Sequence, residues 1–160
     1  MRIVVCVLLM SSVALGGCAG ESQESPFRPV ASVSQLMSTM MDPAADVVWD
    51  AVGTVVSNDG VEHWEPETDE EWGAVLNAAM TVTESANLLM IGDRARDQET
   101  WMRMAQAMVA AGQLAIEAAE NRDAEAIYGV GEAVYNACDS CHTLYWIGDA
   151  DRGKVAEENP

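Results

Sequence analysis

The chain has 160 residues, a length that suits a single domain. Acidic residues outnumber basic ones 26 to 8, for a formal charge of −18. So acidic a balance argues against nucleic acid as a partner and against docking flat on anionic lipid. Acidic surface also serves solubility, so the charge alone names no partner.

Residues 1–17 read as a secretory signal. Arg2 gives a positive start, Ile3 to Met10 is an apolar run, and Ser11 to Gly17 turns small. The stretch is too short to span a membrane. It ends on Leu15-Gly16-Gly17-Cys18, which resembles the lipobox of bacterial lipoproteins, where the cysteine is acylated and becomes the new first residue. An ordinary signal peptide with a chance cysteine is the alternative. Two or three acyl chains on Cys18 would anchor the protein stably in a lipid bilayer, which one chain alone does not. Ala19 stands where an Asp would resemble the inner-membrane retention signal, so the resemblance points to a periplasm-facing protein of the outer membrane. Removing the signal leaves seven basic residues against 26 acidic ones, a formal charge of −19. Residues 18–29, rich in Gly, Glu, Ser, Gln and Pro, read as a flexible lipidated tether.

The domain proper is expected over residues 30–147. Helix one starts near Val30 or Ser32, with a stripe at Val33, Met37, Met40, Ala44, Val47 and Ala51. Asp42-Pro43 interrupts it, which predicts a kink or a restart with Asp42 capping the second half. Ser57-Asn58-Asp59-Gly60 is turn chemistry and Val61 to Glu67 a loop. Thr68 or Asp69 caps helix two, whose stripe is Trp72, Val75, Ala79, Val82, Ala86 and Leu89. Ile91-Gly92-Asp93 stops that helix. Helix three begins around Asp97 with Trp101, Met104, Met108, Ala111, Ala115 and Ala118 in step. Helix four runs from Ala124 with Ile127, Gly131, Val134, Cys138, Cys141 and Tyr145 in register. Residues 148–160 are a polar, fraying tail. No alternating strand pattern of useful length is visible. The expected fold is all-α, an antiparallel four-helix bundle, an architecture that builds cofactor sites between helices.

The chemistry concentrates at Cys138-Asp139-Ser140-Cys141-His142. Two cysteines three apart followed at once by histidine is the attachment signature of c-type haem. Two thiols add across the vinyl groups of one porphyrin, and the adjacent imidazole becomes an axial ligand of the iron. His142 lies about 40° round from Cys138 on ideal helix geometry, so it shares the inward face. A thioredoxin-like pair would sit at the start of a helix after a strand, and here it ends a long helical pattern. A structural zinc site needs four ligands, and the other cysteines, Cys6 and Cys18, go to the signal and to lipid. Nothing then remains for a disulfide.

Haem attached near the C-terminus of the last helix of such a bundle resembles the cytochrome c-prime superfamily. The resemblance spans about Val30 to Tyr145. It is strongest in Tyr135-Asn136-Ala137-Cys138-Asp139-Ser140-Cys141-His142-Thr143-Leu144-Tyr145, in the four helical blocks, and in a methionine-bearing first helix. Leu36-Met37 followed by Asp42-Pro43-Ala44-Ala45-Asp46-Val47-Val48-Trp49 looks like a lipoprotein or periplasmic branch of it. In that superfamily the helix-one residue facing the distal side is bulky and apolar, or a methionine that ligates the iron. The matching position here is Met37, with Met40 on the same stripe and Met41 one turn beyond. A methionine at helical spacing also serves as core filler. Two positions depart from the gas-binding members: Trp146 stands four residues after the haem histidine, where an arginine is common, and Val33 replaces a basic residue one turn before the distal position. The resemblance implies an electron carrier rather than an enzyme, holding haem c and its iron with His142 and Met37 as axial ligands. A redox partner with a basic patch would be steered towards so acidic a protein. The alternative is an open iron that binds nitric oxide or carbon monoxide. Relatives often pair through their first two helices, which leaves a homodimer open.

Other residues carry less. His63, in a polar stretch beside Trp64, reads as a solvent-exposed loop histidine. Trp72, Trp101 and Tyr135 are expected to face inward. Gly131 either lets the macrocycle approach the helix or is simply tolerated. Arg94, Arg96 and Arg103 are candidate partners for the haem propionates. Glu65, Glu67, Asp69, Glu70 and Glu71 read as a solvated loop and helix start.

Overall fold

The computed structural model describes residues 27–145. The expected signal, Cys18, most of the tether, Trp146 and the tail lie outside the described residues. Within them the chain is helical apart from one small two-stranded sheet.

The first helical segment opens at α1 (Val33–Leu36), continues through a π-helical turn (Met37–Met41) and passes into α2 (Asp42–Asp50). Ser32 starts it with a reciprocal capping box: its hydroxyl accepts from the Gln35 amide, and the Gln35 side chain accepts from the Ser32 amide. The expected restart capped by Asp42 is replaced by this wide turn. Asp42 is itself helical (φ −60°, ψ −54°), and its amide donates to the Met37 carbonyl five residues back. A cap requires extended backbone, so the Asp42 side chain is out of position to act as one. The physical cause is Pro43, whose ring would meet the Thr39 carbonyl in a regular turn. Widening the turn relieves that contact, and the Gln35 carbonyl accepts the Thr39 hydroxyl at 2.6 Å.

The extra residue moves the buried face. Leu36 and Met41, five apart, are both buried, followed by Ala44, Ala45, Val48 and Val52. The predicted stripe therefore fails beyond the turn: Ala44 is buried, but Val47 is 42% exposed and Ala51 only half-buried.

The expected loop after helix one is a β-hairpin. β1 (Gly53–Ser57) pairs antiparallel with β2 (Gly60–Trp64), from Gly53 opposite Trp64 to Ser57 opposite Gly60. Asn58-Asp59 forms the two-residue turn, and Gly60 has φ +140°. The Trp64 indole lies on Gly53, where a Cβ would sit 2.0 Å from Cζ2. Its Nε1 donates to the Asp50 carbonyl at 2.9 Å, which ties the hairpin to the end of α2.

α3 (Asp69–Leu88) begins at Thr68 with a second capping box, closed by Glu71. Amides of Glu67 and Thr68 bond the Glu71 carboxylate and hold its pKa below the usual value. A 3-10 turn (Gly92–Arg94) leads towards α4 (Thr100–Asn121). Asp97, the expected start of helix three, instead accepts the Glu99 and Trp101 amides at 2.9 and 3.0 Å, serving the first turn from outside. α4 ends on Arg122 in the left-handed region, and α5 (Ala124–Tyr145) follows with the expected start.

α4 packs on α3 and α5, and α2 packs on the same two helices. The predicted inner stripes of α3 and α4 hold closely: Trp72, Val75, Ala79, Val82, Ala86 and Leu89 are buried, as are Trp101, Met108, Ala111, Ala115 and Ala118. A smaller cluster of Val52, Trp72, Val75, Ala118, Ala119 and Ile127 fills one region, and the main core lies around Leu36, Val82, Trp101 and Val134. Gly112 permits close approach of α3: a Cβ there would stand 2.1 Å from Thr83 Oγ1 and 3.2 Å from its Cα.

Candidate functional site

One apolar cleft lies where the first helical segment, α4 and α5 meet. It encloses about 220 Å³ and opens to solvent. From the first segment Val33, Met37, Met41, Ala45 and Trp49 line it, and from α4 Trp101, Met104, Ala105 and Met108. α5 contributes Ala137, Cys138, Cys141, His142 and Tyr145. Helical periodicity explains the α5 wall, because positions 138, 141 and 145 recur at three and four residues.

Both cysteines and the histidine of the Cys-Asp-Ser-Cys-His run therefore line a single cavity, each half-buried. Burial pushes the Cys138 thiol up to about 11, with Cys141 and the Asp42 carboxylate adding to the effect. Burial raises Cys141 as well. A disulfide-exchange pair needs a lowered thiol pKa, from a helix N-terminus or a nearby cation. Here the thiols lie in the closing turns of a 22-residue helix, and they are neutral at pH 7. Among the described residues no group of three or more His, Cys, Asp or Glu converges to hold a metal ion, so a zinc cluster is not assembled here. The arrangement instead suits a large apolar ligand fixed by two thioethers, with an imidazole beside them and soft side chains around it.

Of the helix-one methionines, Met37 and Met41 line the cleft and Met40 does not. Met37 is half-buried and Met41 is buried. Sequence reasoning had Met40 on the inner stripe; the wide turn puts Met41 there instead. Met104 and Met108 add two more thioethers on α4. Trp49 is a cleft residue that the stripes did not reveal, and its Nε1 donates to the Gly131 carbonyl at 3.1 Å. Gly131 thus faces Trp49, where a Cβ would stand 3.3 Å from the indole. Its small size serves a helix contact.

Tyr145 joins the cleft to the start of α4. Its hydroxyl donates to Asp97, and its ring meets Trp101 edge-on at 5.0 Å between centroids. Trp101 in turn donates from Nε1 to the Leu89 carbonyl at 2.8 Å. Asp97 is held below its ordinary pKa first by the Tyr145 hydrogen bond and then by the Trp101 amide. The Tyr145 phenol is raised by the same bond.

The remaining candidates separate. Arg94 is buried and bonds the Ala31 carbonyl through Nε and the Leu88 carbonyl through Nη1, stapling the N-terminal segment to the end of α3. Arg96 and Arg103 are exposed. Arg103 lies near enough to Tyr145 for its charge to act on the phenol, at the cleft edge. His63 is exposed on β2, paired at 2.7 Å with Thr54, and is not part of the cleft. Tyr135, expected inside, is 58% exposed, because it sits about 100° round from buried Val134. Trp72 belongs to the smaller core cluster away from the site.

Comparison of the chain with protein-family models, curated proteins and solved structures finds no match.

Proposed function

We propose that the protein is a c-type haem protein on an antiparallel four-helix bundle of the cytochrome c-prime kind, transferring single electrons in the bacterial cell envelope. The observation that carries this reading is the convergence of Cys138, Cys141 and His142 on one apolar cleft whose other walls present methionine and aromatic side chains. Four helical blocks in which α2 and α4 each pack on α3 and α5 support the bundle.

Bound in this cleft, haem c would supply reversible one-electron exchange at its iron. Cys138 and Cys141 would hold it by thioether bonds, which prevents its loss outside the cell. His142 would be the proximal ligand and Met37 the distal one, a thioether that raises the reduction potential. Trp49, Met104 and Met108 would shield the bound group from water on the inner side of the cleft. Arg103 is the cation best placed to meet a propionate. No bond-making step falls to the protein, so this is a carrier rather than an enzyme. Acylated Cys18 would tether it to the outer membrane, and its negative charge would steer a basic partner surface towards it.

Mass spectrometry of the chain matured in a cell with working haem-ligation machinery tests the reading, together with a visible spectrum. Covalent haem and a low-spin ferric spectrum that becomes high-spin in Met37→Ala are the expected results. Two unmodified cleft cysteines would overturn the haem assignment. A high-spin wild type that binds carbon monoxide when reduced would replace the carrier with a gas-binding protein.

A further inference from the structure

We infer that Pro43 is a positioning residue for the distal methionine, acting through the π-helical turn it enforces. The inference rests on the haem reading above and goes beyond it, from which side chain faces the cleft to why that side chain does.

Leu36 and Met41 are both buried, although five residues apart. In a regular helix they would lie about 140° apart and could not share a face. A turn with five-residue hydrogen bonding reconciles them, and the Asp42 amide bonded to the Met37 carbonyl is that bond. Such turns hold one residue more than an α-helical turn, so everything before the turn is displaced one place relative to everything after it.

α2 is the anchored side, with Ala44, Ala45 and Val48 buried and packing on both α3 and α5. If the turn were regular, each preceding residue would shift by one place. Met37 would take the core position that Leu36 now fills. Ser38 would take the cleft position that Met37 now holds, and a serine hydroxyl cannot act as a thioether ligand. Pro43 prevents the regular turn because its ring would strike the Thr39 carbonyl. The chain thus accepts a proline inside a helical segment, ordinarily a destabilising choice, and the gain is a methionine at the cleft.

Pro43→Ala in the full chain tests this, with two readouts. In the apo chain, through-hydrogen-bond NMR couplings report which carbonyl the Asp42 amide bonds. The expected result is a switch from Met37 to Ser38. In the holoprotein, the methionine-to-iron charge-transfer band should be lost while covalent haem is retained and Tm is unchanged or higher. A purely structural proline would change Tm and leave that band alone. The double variant Ser38→Met with Pro43→Ala should regain the band, because the new thioether then occupies the vacated place.

An Asp42 amide still bonded to Met37 in Pro43→Ala overturns the inference, as does a switch that leaves the band intact. An unsubstituted holoprotein with covalent haem but no methionine band overturns the ligand assignment itself. The two failures are told apart by which chain shows the fault.

Discussion

α4 presents different side chains in two directions, and the contrast separates scaffold from site. Towards α3 it presents Gly112, and a run of buried alanines, Ala111, Ala115 and Ala118, lies along its inner side. Towards the cleft it presents Trp101, Met104 and Met108. Small rigid residues let two backbones close to a fixed distance and leave little room for adjustment. Methionines have three rotatable bonds and fit an irregular boundary, as a wall around a bound group must. One side of α4 therefore fixes geometry, and the other lines the cleft with side chains that can adapt.

The most severe test of this division is Cys138→Ser with Cys141→Ser. On the proposed haem reading, covalent haem should fall to zero by mass, while the helical far-UV circular dichroism of the chain is largely retained. Loss of the whole helical signal would mean that site and scaffold are not separable. Next in size is Gly112→Ala, which drives a methyl into Thr83 and its backbone. Overpacking of this kind costs about 1 to 3 kcal/mol, read as a lower denaturant midpoint with the same slope. The cleft residues should keep their NMR shifts, since the clash is confined to the α3 side.

The smallest expected effect is that of Tyr145→Phe. Asp97 has a lowered pKa, so its contribution to stability is present above the unfolded value and is lost as pH falls through the folded one. Removing the hydroxyl returns Asp97 towards the ordinary carboxylate range, and the acid-side loss then begins at higher pH. Tyr145 is shifted the other way, so its contribution is present below the ordinary tyrosine range and is lost as pH rises through its raised value; the phenylalanine has no such alkaline limb. Carboxyl NMR titration of Asp97 in the two proteins checks the shift. An unchanged Asp97 midpoint would show that the backbone amides of Glu99 and Trp101 hold it down without the phenol.

Much of the fold was legible because its signals are local. Thr68 with Glu71 marks the start of α3, and the stripes of α3 and α4 repeat at helical spacing without interruption. The hairpin was missed for a corresponding reason. Its strands are almost wholly exposed, with Val56 at 76% and Val61 at 59%, so no alternation between core and solvent is written into them. The visible clues were β-branched Thr54, Val55 and Val56 and the Asn58-Asp59-Gly60 turn, which give a propensity and no burial pattern.

By itself the sequence determined the helical blocks, the Thr68 cap of α3 and the adjacency of Cys138, Cys141 and His142, since each depends on neighbours within a turn or two along the chain. Tertiary structure decided that Met41 rather than Met40 joins Met37 at the cleft, that Trp49 closes the same cavity, and that Arg94 is a staple. Those outcomes depend on packing between distant segments. One extra residue in a turn is energetically small locally, yet it redirects every side chain on one side of it relative to the other, and only the helices packed around it select which face is turned inward.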